Sequence, residues 1–340
     1  MITSVMVRFL FQNKNSELNL LFRIYYLIAF LLTFTVLFSL ILNKSVYEKP
    51  QIADIQTELL NTKIYDQFSK ISYEGFTQDE ILIAKLLGEK FQNGFFSINR
   101  IKETKKVPNI IISRLPKDFG KINSSTARKT LFTQIMLPLI VKENEYLVSQ
   151  NLKTQHLKNR FHLIKRKEAL WLDQKMKEYK VQNKSIDDLL IKVDAIPVSI
   201  ALSQAAVESG WGTSRFAYEG NALYGQYIWK RGEGIVPEER NEDDRHEIKS
   251  FKNLKSSVSS YMKNLNSNFH YEEFRINRFI MRVNGIPLNG IKLSEFLYNY
   301  STDENYPNKI RGIIKTNNFE DFDNVKIDNS SEEAITLDII

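Results

Sequence analysis

Residues 197–212 read PVSIALSQAAVESGWG, and this stretch decides how the rest of the chain is read. Pro197 suits a first helical turn, where its missing N–H costs no hydrogen bond. The residues after it are almost all apolar or small, which predicts a buried helix. Ala201, Ala205 and Ala206 allow a neighbouring helix to approach closely, and Gly210 and Gly212 mark the stop. Glu208 therefore falls in the last turn. Burial there strips water from the carboxylate, and the helix dipole adds partial negative charge. Both effects keep the proton on, and a carboxyl protonated near neutral pH can serve as a general acid. The competing assignment is a helix-end glutamate paired with Arg215 or a backbone donor. Trp211, Phe216, Tyr224, Tyr227 and Trp229 follow closely. They could offer flat apolar faces to sugar rings or form ordinary core.

Downstream, residues 213–250 are rich in glycine and aromatics, and HEIKSF at 246–251 alternates as a strand does. A small β-lobe is expected there. Helices are expected over 254–265, around 272–281 and over 293–300, then an acidic, loosely ordered tail at 319–340. Upstream, Phe132, Ile135, Met136, Leu139 and Ile140 recur at helical spacing. Helical patterns fill 126–180, with a second helix expected over 156–179. Ser185-Ile186-Asp187-Asp188 reads as another helix start, and VPNIII at 107–112 as a short strand. Thr77-Gln78-Asp79-Glu80 has the form of a capping box. Residues 77–180 are taken as a helical arm packed onto a domain at 181–318.

The N-terminal region carries a different signal. Residues 24–42, IYYLIAFLLTFTVLFSLIL, contain no charge. As a helix this run is roughly 28 Å long, close to the hydrocarbon thickness of a bilayer. It is longer than a secretory h-region and is followed by Asn43-Lys44, so an uncleaved anchor is expected. Arg8, Lys14 and Arg23 precede it, placing residues 1–23 in the cytoplasm and everything after a stalk at 43–76 on the far side. The chain has 340 residues, a formal charge of +7 and no cysteine. Thiol catalysis, disulfides and cysteine-bound metals are excluded. A basic surface suits anionic lipid, nucleic acid or an anionic cell-wall polymer, or is plain solvated lysine.

Two blocks then carry a resemblance. Gln204 to Ser214, continued by Glu219-Gly220-Asn221-Ala222-Leu223-Tyr224-Gly225-Gln226, resembles the catalytic signature of bacterial glucosaminidases. Tyr300-Ser301-Thr302-Asp303-Glu304-Asn305-Tyr306-Pro307-Asn308-Lys309-Ile310 resembles their second block. Val107-Pro108, Leu115-Pro116-Lys117-Asp118, Leu137-Pro138-Leu139-Ile140 and Asn144-Glu145 fit the Bax-type branch of endo-β-N-acetylglucosaminidases. The resemblance spans about 105–318. It implies an α+β, mostly α architecture: a lysozyme-like helical domain with a small β-lobe, here preceded by the arm and the transmembrane helix. It also implies hydrolysis of N-acetylglucosaminyl linkages in peptidoglycan.

Carried over position by position, the resemblance makes Glu208 the acid and sets Tyr300, Thr302 and Asp303 on the opposite wall. Asn221, Tyr224, Gly225 and Gln226 would shape sugar subsites with Trp211, and Tyr306 would steady the loop or the ligand. The second carboxylate is left between Glu239, at the entry to the β-lobe, and Asp303; assistance by the substrate's N-acetyl group would need neither. No cofactor or metal is expected, since His156, His162, His246 and His270 form no ligand pair. Ser209 lacks a nucleophile elbow, Gly285 and Gly290 flank a plain loop, and no nucleic-acid module is legible. The alternatives are a lytic transglycosylase and a non-catalytic, membrane-tethered glycan-binding scaffold.

Overall fold

The computed structural model describes residues 96–117, 119–230, 232–237 and 246–329, with the backbone of 335–337. The cytoplasmic tail, anchor, stalk and capping box expected over 1–80 lie outside the described residues, as does Glu239. Among the described residues, no helix is long and apolar enough to cross a membrane.

The described chain opens with α1 (Ile98–Thr104), β1 (Lys106–Pro108) and β2 (Ile110–Ile112). The helices α2 (Ser125–Asn159), α3 (Arg166–Glu178), α4 (Ile186–Lys192) and α5 (Val198–Glu208) follow. A short α6 (Arg215–Gly220) leads to β3 (Tyr227–Ile228), β4 (Gly234–Ile235) and β5 (Glu247–Lys249). The chain then runs through α7 (Leu254–Ser267), α8 (Glu272–Val283), α9 (Gly290–Leu293) and α10 (Tyr306–Thr316) to β6 (Lys326–Asp328) and β7 (Ile335–Leu337). The expected helix at 293–300 is instead α9 with a 3-10 turn at Ser294–Leu297.

The long α2 holds the molecule together. Its 35 residues span about 52 Å. Every residue from Leu131 to Val141 is buried, so this segment is apolar on all sides, as a core helix must be. Pro138 lies within it and removes one i to i−4 hydrogen bond. Against this segment pack α5 and α7. The helical stretch expected to pack onto the domain at 181–318 does so through α2, which also supplies core on which α5 rests. Asn144 of α2 fixes the approach to α5, its Nδ2 donating to Ile196 O at 2.6 Å and its Oδ1 accepting from Ile196 N at 2.9 Å.

Of the acidic tail, residues 319–328 pack into the core and are not loosely ordered. Phe319 and Phe322 are buried. Strand β6 pairs in parallel with β1, Val107 opposite Ile327, and β7 pairs in parallel with β2. Thus the strand expected at 107–112 forms as two, broken at Asn109, whose Oδ1 accepts from Lys142 Nζ. Asp323 supplies what Pro197 lacks, a side-chain cap for α5. Its Oδ1 accepts from Ser199 N at 2.8 Å and its Oδ2 from Ser199 Oγ at 2.9 Å and Gly290 N at 3.2 Å.

The β-lobe is antiparallel in the order β3-β5-β4. Buried Glu247 holds its turn, its carboxylate accepting from Gly232 N and Gly234 N. Helix α8 buries Phe274 and Met281 together with charged side chains. Arg275 and Arg278 are buried, whereas Ile276, Phe279, Ile280 and Val283 are exposed. Arg278 donates to the carbonyls of Ile191, Lys192, Asp194 and Ala195 and to Asn266 Oδ1. These include the last carbonyls of α4, which have no partner within their own helix.

Candidate active site

The turn after α5 aims the site. Gly210, Trp211 and Gly212 all have positive φ, and Trp211 N donates to Ala206 O at 2.7 Å. Ser209 Oγ donates to Ala205 O and accepts from Gly212 N. A Cβ on Gly212 would press on Leu115, Phe119 and Phe132 at 3.0–3.1 Å, so both φ and space call for glycine there. The left-handed Trp211 turns its ring onto Phe132 and Phe319, with Lys129 over its face. It anchors the turn to α2 and the tail, and is not placed as a sugar platform.

Glu208 ends α5 and is half-buried. Burial raises its carboxyl above the usual glutamate range, while the Tyr306 hydroxyl and the charge of Lys309 pull the other way. Tyr306 Oη donates to Glu208 Oε1 at 2.7 Å. Gly225, at φ +58°, meets the other oxygen: a Cβ there would lie 3.0 Å from Oε2. Arg215, the cation weighed as a partner for Glu208, pairs with Glu219.

Behind Tyr306 lies a buried polar chain. Gln204 Nε2 donates to Tyr306 Oη at 3.0 Å, and Tyr261 Oη donates to Gln204 Oε1 at 2.7 Å. The Tyr261 ring stacks on Tyr224 at 3.8 Å, and Tyr300 stacks on Tyr306 at 5.4 Å. Tyr300 Oη donates to Tyr224 O at 2.9 Å, joining the second sequence block to the first. Gln204 sits one turn before Glu208 on the same helix face, so its i, i+4 spacing could have marked it. Nothing in the sequence marks Tyr261, 57 residues further on.

Several residues expected to touch sugar have other duties. Tyr224 is buried, its ring closed off by Tyr261. Asn221 is buried, caps α6 in a left-handed conformation, and donates from Nδ2 to Phe251 O. Gln226 donates to Ser260 O at 3.4 Å. Asp303 is ion-paired with Lys309 at 3.0 Å and accepts from Asn305 N, contacts that hold its carboxyl below the usual aspartate range. A nucleophile or general base acts in the ionised form, which these contacts favour, but here the anion already has a cation partner. Thr302 is exposed. In contrast, Tyr227 and Trp229 are 62% and 72% exposed, and both rings stand edge-on to His246.

Residues 183–319 match the family model described as Glucosaminidase: Mannosyl-glycoprotein endo-beta-N-acetylglucosaminidase. That span contains Glu208, Gly225, Tyr261 and Tyr306 but neither α2 nor the paired strands of the tail. Protein bax of Escherichia coli (strain K12) is 30% identical over 219 residues, covering 60% of this chain and 75% of that protein. Among solved structures, the catalytic domain of the autolysin Auto from Listeria monocytogenes aligns at 15% identity. It covers 50% of this chain and 96% of that one, with a TM-score of 0.27.

Proposed function

The chain belongs to the Bax-type glucosaminidases, glycoside hydrolases of the endo-N-acetylglucosaminidase type, and from that premise we propose that it cleaves peptidoglycan with Glu208 as general acid. The reading rests on one observation above the others: a half-buried carboxyl, its affinity for protons raised by burial, held at a helix end by Tyr306. The protonated acid donates its hydrogen to the glycosidic oxygen as the bond from C1 breaks. Positive charge develops on the sugar, and water completes the hydrolysis. The exposed rings of Tyr227 and Trp229 suit stacking against the glycan, two and four residues along the chain from Gly225. Tyr300 and Tyr306 close the other side.

The second group is left between the N-acetyl oxygen of the substrate, Glu239 and Asp303, the last of which is ion-paired with Lys309. The uncharged run at 24–42 supports tethering to the bacterial inner membrane, with the catalytic region beyond it and close to the wall. A lytic transglycosylase is the second reading. In its favour, among the described residues the charge acting on Glu208 is that of Lys309, not of another carboxylate.

One digest tests both. The detergent-solubilised full chain is expected to release fragments with reducing N-acetylglucosamine ends from purified peptidoglycan, identified by mass. Glu208→Gln should lower the rate by at least about 10²-fold while remaining folded. Wild-type rates in that variant would remove Glu208 from the reaction, and anhydro-muramic ends would establish the transglycosylase.

A further inference from the structure

A general acid must carry its proton on the oxygen that faces the leaving group. Glu208 has two oxygens in different settings. Oε1 accepts from Tyr306 Oη. Oε2, beside Gly225, has no hydrogen-bond donor among the described residues, and a glycine at 225 places no side chain against it. Which oxygen holds the proton depends on the direction of the Tyr306 hydrogen. A tyrosine hydroxyl has a single hydrogen. Because Gln204 Nε2 donates to Tyr306 Oη, that hydrogen is left to point at Oε1. The amide of Gln204 is in turn oriented by Tyr261, whose hydroxyl donates to Oε1 of the amide. Gln204, Tyr261 and Tyr306 are all fully or almost fully buried, so water does not compete for these bonds.

We propose that Gln204 and Tyr261 are positioning residues that fix the direction of this chain and thereby confine the transferable proton of Glu208 to Oε2. This rests on the reading of Glu208 as the acid. Were the amide to turn over, its oxygen would accept the Tyr306 hydrogen. Tyr306 Oη would then accept from Glu208, drawing the proton onto Oε1, away from the substrate. The other groups acting near Glu208 keep their places in both arrangements. They are Lys309 on α10, and Tyr300 and Tyr271, both of which respond to its charge. The directional control therefore lies in Gln204 and Tyr261.

The test compares the full chain with Tyr261→Phe and Gln204→Met on peptidoglycan glycan strands, with Glu208→Gln as reference. Tyr261→Phe removes the hydroxyl that orients the amide and keeps the ring stacked on Tyr224. It should lower kcat several-fold, leave KM within about twofold, and move the alkaline limb of the kcat/KM profile to higher pH. The limb moves up because the Glu208 anion loses a committed donor. Gln204→Met should act in the same direction. A folded Tyr261→Phe enzyme with an unmoved alkaline limb overturns the proposal, whether kcat or thermal stability has changed or not; should that variant not fold, Gln204→Met is judged by the same criterion. If Glu208→Gln is inactive while the limb stays put, only the positioning role falls. If Glu208→Gln is active, the acid assignment itself falls.

Discussion

At the scale of single residues, Glu208 should leave a mark on stability as well as on rate. Its folded-state pKa is raised, chiefly by burial. The folded protein therefore binds this proton more tightly than the unfolded chain does. The corresponding stability is present below the unfolded value and is lost as pH rises through the folded one. Glutamine cannot ionise and can still accept from Tyr306. Glu208→Gln should therefore melt a few degrees above wild type at pH 8, and the two should converge near pH 4. Thermal melts at both pH values measure this. An equal gap at both would show that burial of the anion is not what separates the two proteins. The same buried setting that favours the proton thus costs stability at the pH where the acid is used.

Among the elements, α8 shows most plainly that composition does not dictate orientation. Its apolar residues Ile276, Phe279, Ile280 and Val283 fall at helical spacing, as a core face would. Yet they are exposed, and the helix buries Arg275 and Arg278 beside Phe274 and Met281. The reason is the neighbouring backbone. Carbonyls of Ile191, Lys192, Asp194, Ala195, Leu265 and Asn268 converge there and take the guanidinium donors. Burial lowers the Arg278 pKa to about 10, and the nearby Asp194 opposes that fall. Arg278→Leu, which removes the guanidinium donors to Ile191, Lys192 and Ala195 O, should cost about 3 kcal/mol or more in urea unfolding. Ile280→Thr on the outer face should change stability by less than about 0.5 kcal/mol. A larger loss from Ile280→Thr than from Arg278→Leu would reverse this account of which face supports the fold.

For the molecule as a whole, the chain ends secure the site. Asp323 caps the start of α5 while Glu208 works at its end, and β6 pairs with β1 across more than two hundred residues of sequence. Burial pushes the Asp323 carboxyl up to about 6 against the pull of the Ser199 and Gly290 donors. A chain ending at Asn318 would lose the buried side chains of Phe319, Phe322, Val325 and Ile327, each contributing about 1.5–3 kcal/mol. That sum is comparable to the whole margin of an ordinary domain. The truncated protein should therefore be protease-sensitive and lack a cooperative melt, although residues 183–319, the span of the family match, are almost all retained. A cooperative transition near the wild-type temperature would show that the tail is dispensable.

The sequence by itself was enough for the buried helix at 198–208, the glutamate at its end, the glycine stop, the β-lobe and the family. Each of these follows from local periodicity, backbone limits or an unbroken motif. Other features depended on which distant surfaces meet. Only the tertiary structure showed that 125–159 supplies core, that residues 319–328 give a helix cap and a paired strand, and that Trp211, Asn221 and Tyr224 pack against distant segments. Gln204 was within reach of the sequence through its spacing from Glu208. Tyr261 was not, because a hydrogen bond between residues 57 apart leaves no period to read. Spacing along the chain sets what one helix face presents. What that face meets is settled by close packing of segments far apart in sequence.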